Sequence, residues 1–180
     1  GAGLFGLMVG AFIFGPLADK IGRKYSLILT VIFFGGASLA SAWSTSITEL
    51  TILRFLTGMG LGGAMPNAIT LTSEFCPEKR RSFLTTLMFC GFTLGSAFGG
   101  LAAAQLVAGY GWESVLLIGG ILPLALAPVL WLTLPESVRF LVLKNAPAEQ
   151  ITAVLHRIAP EADLTGVAYT GVTKPKGSPV

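Results

Sequence analysis

Gly15-Pro16-Leu17-Ala18-Asp19-Lys20-Ile21-Gly22-Arg23-Lys24 is a short charged island between two apolar runs, residues 1–18 and 25–43. Each run approaches the ~20 residues that a helix needs to cross a bilayer. Residues 19–24 are too few to hold a folded domain, so the runs pair as an antiparallel helical hairpin. The island is then a tight basic turn on one membrane face, and the rest of the chain is oriented from it.

Composition agrees. Of 180 residues, 53% are hydrophobic and 12% charged, whereas a soluble domain carries about 25% charge. Many of the 23 glycines lie inside apolar runs, where small residues let membrane helices approach closely. The net charge of +3 does not imply a nucleic-acid partner, because the bases follow membrane loops.

Five apolar segments are expected to span, at 1–18, 25–43, 50–72, 83–108 and 114–134. Lys20, Arg23, Lys24, Lys79, Arg80 and Arg81 fill the first and third gaps. Five more bases follow Leu134, putting eleven of the twelve on one side. The second and fourth gaps hold no base, only Glu49 and Glu113. The positive-inside rule makes the basic side cytoplasmic, as expected of a multi-pass protein of the inner membrane. Residue 1 then lies outside, within a helix that lacks a start, so the chain reads as a fragment with at least one helix upstream. Trp43, Tyr110 and Trp112 mark the outer interface and Tyr25 and Trp131 the inner one.

Residues 135–180 read as a cytoplasmic loop. Ile151, Val154, Leu155 and Ile158 recur at helical spacing, so an amphipathic helix is expected over 146–159, after Asn145 and with Pro147 in its first turn. Residues 165–180 read as a linker. Cys76 and Cys90 read as free thiols. Metal-ligand pairs, Walker loops and HExxH are absent from the sequence, so no cofactor, metal or enzymatic activity is expected.

Gly15-x-Leu17-Ala18-Asp19-Lys20-x-Gly22-Arg23-Lys24 resembles the signature loop between helices 2 and 3 of the major facilitator superfamily. Leu50-x-x-x-Arg54-x-x-Thr57-Gly58-x-Gly60 resembles its helix 4 motif, with Thr57 where Gln is usual. Glu74 and Arg81, seven residues apart, match the loop between helices 4 and 5. Pro135-Glu136-Ser137 is similar to the helix 6 exit of the sugar-porter and aromatic-acid branches. The run from Gly60 to Asn67, Ser73-Glu74-Phe75-Cys76-Pro77 and Phe89-Cys90-Gly91-Phe92-Thr93-Leu94-Gly95 resemble the aromatic acid:proton symporters, permeases for benzoate, 4-hydroxybenzoate or protocatechuate.

The resemblance implies an all-α membrane protein, helices 2 to 6 of the N-terminal six-helix bundle of a twelve-helix fold. The implied activity is proton-coupled uptake of an aromatic carboxylate by alternating access. Its implied partners are the acid, a proton, the bilayer and the missing C-terminal half of the same chain. Two alternatives stay open: another organic-acid or sugar porter of the superfamily, and a small membrane scaffold protein.

Site residues follow residue by residue. Asp19 can face the positive end of a helix N-terminus, which the resemblance puts in the second half. Arg23 would pair with Glu74 across neighbouring loops, Arg81 joining, to hold the cytoplasmic side closed. Gly22 and Lys24 complete this gating motif, and Gly15 would let another helix pass close. The plainer reading is a solvated basic turn whose charge pairs contribute at most about 1 kcal/mol.

Arg54 is the one base within a span, about one turn from its outer end. It faces either a cavity, as a substrate or coupling candidate, or the outer headgroups. Asn67 lies on a different helical face from Arg54, with Gly60, Gly63 and Glu74. Substrate contact and bonding between helices are equal readings for it. Gly58, and the stripe Gly91, Gly95 and Gly99, are expected to pack helices. Gly95 precedes Ser96 rather than the proline of many antiporters, which argues against drug/proton antiport. Glu113 departs from the basic or polar residue expected there. No carboxylate lies within an apolar span, so a proton-coupling group is expected outside this chain.

Overall fold

The structure is a computed structural model that describes residues 1–76, 78–144 and 146–158. Its elements are α1 (Ala2–Ile21), α2 (Arg23–Ser41), α3 (Ile47–Phe75), a 3-10 turn (Glu78–Arg80), α4 (Arg81–Tyr110), α5 (Glu113–Thr133), α6 (Val138–Leu143) and α7 (Ala148–Ile158). Among the described residues every regular element is helical. α1, α2, α4 and α5 are long and apolar enough to cross a membrane.

The fifth expected span, α3, has 29 residues and is about 43 Å long at 1.5 Å per residue. It is less apolar than the others, carrying Arg54, Asn67 and a series of threonines and glycines. Enclosure permits this, since α1 and α2 both pack along it. Its buried residues are Thr57, Gly58, Gly60, Gly62, Gly63, Asn67 and Leu71, mostly too small to hold a neighbour away.

The seam between α1 and α3 is built from glycine. α1 buries Gly6, Gly10, Phe14 and Ala18, four residues apart and so on one face. A Cβ on Gly58 would overlap the backbone of Gly3, and one on Gly62 that of Leu7. Cβ atoms on Gly6 and Gly10 would overlap the backbones of Phe55 and Met59. Gly58, Gly6, Gly10 and Gly62 all lie where the two backbones approach closely. α2 lies against α3 at Gly60, which meets Phe34, and against α5 where Gly35 meets Gly120 and Leu124.

The stripe on α4 behaves differently. Among the described residues nothing lies within 4 Å of a Cβ on Gly91, Gly95 or Gly99, and α4 buries no residue. Spacing alone nominated these glycines for packing; among the described residues no helix faces them.

Helix ends also differ from expectation. The basic turn is not a six-residue loop: α1 runs to Ile21 and α2 restarts at Arg23, so Gly22 alone breaks the helix. α3 starts at Ile47, earlier than the hydropathy boundary, because Ser46 caps it. Ser46 Oγ accepts the Glu49 N–H at 3.1 Å and Glu49 Oε2 accepts that of Thr45 at 2.9 Å, a variant of the capping box. α6 is unforeseen; Ser137 Oγ caps it by accepting the Phe140 N–H at 3.1 Å. α7 falls within the expected 146–159, and Ile151 on its apolar face is buried. Asn145 and the linker over 165–180 lie outside the described residues.

Candidate functional site

Gly22 places the charged residues. Its φ of +105° and ψ of 153° suit a residue without Cβ, and a side chain there would run into the Glu136 carboxylate. The restart brings Arg23 within reach of Asp19 one turn earlier. Arg23 Nη2 donates to Asp19 Oδ1 at 2.8 Å. Arg23 Nη1 reaches inward to Asn67 Oδ1 at 3.4 Å.

Asn67 has no solvent exposure. Its amide nitrogen donates to the Gly63 carbonyl at 2.9 Å and to Ser26 Oγ at 3.0 Å. Ser26 Oγ in turn donates to the Phe14 carbonyl at 3.5 Å. A chain of hydrogen bonds therefore runs from the guanidinium into the core and ties α2, α3 and α1 together.

The segment after α5 closes the other side. Glu136 Oε1 accepts the Lys24 N–H at 3.0 Å and the Ser137 N–H at 2.9 Å. Lys24 sits in the first turn of α2, where backbone donors have no helical partner, and Gly22 has no side chain to cap them. Glu136 supplies that cap from 112 residues away. Lys24 Nζ lies 5.8 Å from the Trp131 ring centre, and Tyr25 meets that ring edge-on at 5.5 Å. A cavity of about 380 Å³ remains between these parts, lined by Asp19, Arg23, Thr70, Glu74, Ser137, Arg139, Phe140 and Leu143.

This charged cluster sits at one end of an otherwise apolar bundle. The sequence profile of the sugar (and other) transporter family matches residues 1–174. The chain belongs to that family. It is 54% identical over 160 residues to the 4-hydroxybenzoate transporter PcaK of Pseudomonas putida, covering 89% of this chain and 36% of that protein. It is 51% identical over 157 residues to a gallate transporter of Pseudomonas putida, covering 87% of this chain and 35% of that protein. Among solved structures, the inward-open xylose transporter XylE from E. coli superposes with a TM-score of 0.72 at 23% identity. That match covers 89% of this chain and 41% of XylE. XylE is a major facilitator superfamily symporter, and the likeness shows the fold. The chain spans about a third of the length of the curated relatives it matches.

Within this family fold Asp19, Arg23 and Glu74 line one cavity, but Arg23 is paired otherwise than the sequence led one to expect. Arg23 does not pair with Glu74. Its guanidinium is held between Asp19 and Asn67, and Glu74 Oε2 is buried without a hydrogen-bond partner among the described residues. The reason is geometric. The single-residue break keeps Asp19 one turn from Arg23, and Asn67 lies two turns inward of Glu74 on the same face of α3. Arg81 stands at the exposed start of α4, and among the described residues it joins no ion pair. Asp19 is two-thirds exposed, and the space around Gly15 is open.

For Asn67, substrate contact and bonding between helices were equal readings, and in this structure its side chain is bonded between helices. It is sealed from solvent, and its donors and acceptor are engaged between helices. Arg54 is half-buried two turns inside α3, because the helix starts earlier than hydropathy indicates. Gly3 of α1 lies 3.5 Å from its backbone carbonyl when a Cβ is placed there. The sequence reading missed Ser26, which no motif marks, and valued Glu136 only as part of a family likeness. Cys76 and Cys90 are free.

Proposed function

We propose that this chain is the part of a secondary transporter bearing its cytoplasmic gate, and that the whole transporter takes up an aromatic carboxylate with a proton by alternating access. The observation that carries this reading is the cluster of Asp19, Arg23, Glu74 and Arg139 around one cavity at the basic end of the bundle. Charges so placed join three helix ends and the segment after α5, where a rocking bundle needs a breakable contact. The names of relatives at about half identity, a 4-hydroxybenzoate and a gallate transporter, support the substrate class.

In this reading α3 is a fifth span, the basic end is cytoplasmic, and Asp19 meets a helix N-terminus of the second bundle. Arg54 faces the pathway and attracts the carboxylate. The coupling proton is carried by a group outside this chain, since no Asp or Glu lies midway along a span.

The test is uptake of labelled 4-hydroxybenzoate by cells that express the full-length protein and lack their own aromatic-acid carriers. Accumulation should appear and collapse with a protonophore. Uptake indifferent to the protonophore would remove proton coupling, and no uptake of 4-hydroxybenzoate, gallate or benzoate would remove the substrate class. Unchanged uptake after Asp19→Asn would remove the gating role.

A further inference from the structure

We infer that Asn67 is the positioning residue of the loop arginine: its buried side-chain oxygen berths Arg23 on the inward side of Glu74. The amide orientation is dictated by its neighbours. The Gly63 carbonyl, 2.9 Å away, can only accept, so the amide nitrogen must face it. The second amide hydrogen goes to Ser26 Oγ. Oδ1 is left with a buried acceptor position, and Arg23 Nη1 fills it. Asn67 itself has no solvent exposure, and a charged donor to such an acceptor is stronger than a neutral one.

Glu74 shows what the berth withholds. Asn67 and Glu74 are seven residues apart and share a face of α3. Glu74 Oε2 is buried and unpartnered among the described residues, and its side chain lines the cavity that Arg23 also lines. Arg23 therefore has an occupied acceptor at Asn67 and a vacant one at Glu74. Asn67 sets the division of the guanidinium between them without touching substrate.

This inference rests on the gating reading for its effect on transport, but the contact itself is testable without transport. In the full-length protein, Asn67→Leu, Arg23→Gln and the double variant are compared by melting temperature in detergent and by uptake kinetics. Asn67→Asp, which keeps an oxygen towards Arg23, is the conservative variant. The melting losses of Asn67→Leu and Arg23→Gln should not add in the double variant. The maximal uptake rate of Asn67→Leu should fall by about tenfold with KM for 4-hydroxybenzoate little changed. Asn67→Asp should restore part of that rate. Additive melting losses would overturn the inference, whether or not the protein transports an aromatic acid. So would a raised KM at unchanged maximal rate, which marks a substrate contact. Should Asn67→Leu fail to accumulate, the cycle is run with Asn67→Ala and Arg23→Gln, where additivity is equally fatal. Absence of uptake in the parent protein would sink the transport reading alone, and the melting cycle would still decide this one.

Discussion

At the scale of single residues, Gly22 is constrained both in its backbone and in the space beside it. It alone separates α1 from α2, at a φ of +105°, a backbone region that costs other residues roughly 1–3 kcal/mol. A Cβ there would also displace the Glu136 carboxylate that caps α2. Gly22→Ala should therefore lower the melting temperature of the protein by several degrees. Gly15→Ala, whose Cβ meets nothing within 4 Å, should change stability by no more than about 0.5 kcal/mol. Equal melting temperatures for the two variants would contradict the break as described. Asp19, Gly22 and Arg23 stood out in the sequence as one motif, but their pairing did not: the sequence joined Arg23 to Glu74, and the local partner is Asp19, one turn away. Ser26 did not stand out, and for Asn67 the sequence left bonding between helices and substrate contact as equal readings. Their contact joins residues 41 apart and depends on the rotation of α2 about its own axis, which no residue pattern encodes.

At the scale of elements, identical spacing has opposite consequences. Gly58 and Gly62 are four residues apart, as are Gly91 and Gly95, yet only the first pair meets a neighbouring backbone. Whether a small-residue stripe packs depends on the helix opposite it, and that is a property of topology rather than of the stripe. Backbone cannot rotate away as a side chain can, so a methyl on Gly62 forces α1 and α3 apart. Gly62→Ala should destabilise the bundle by about 1–3 kcal/mol, the usual cost of overpacking. Gly95→Ala should be neutral or slightly stabilising, since alanine favours helix by about 1 kcal/mol over glycine. Thermal melts of the two variants in detergent measure this, and a larger loss at Gly95 would show that α4 has a packed glycine face after all. Hydropathy found the five long helices but misplaced their ends, because caps such as Ser46 and breaks such as Gly22 act through hydrogen bonds.

At the scale of the whole molecule, the bases gather where the helix ends, the Glu136 cap and α6 also meet. The opposite ends of α2 and α3 carry Trp43 and Glu49 and no base. A bilayer reads this asymmetry through the cost of moving Lys and Arg across it, so the proposed orientation can be tested without any transport assay. In a Cys76→Ser, Cys90→Ser background, one thiol is introduced at Thr48, exposed near the start of α3, and another at Lys79, exposed in the 3-10 turn. A membrane-impermeant maleimide applied to intact cells should label Thr48→Cys at once. Lys79→Cys should react only after the membrane is permeabilised. The reverse pattern would turn the bundle over and put the Asp19–Arg23 cluster on the outer face, where it could not serve as a cytoplasmic gate. Labelling of both thiols in intact cells would mean that α3 does not cross, and would remove the fifth span that Arg54 and Asn67 require.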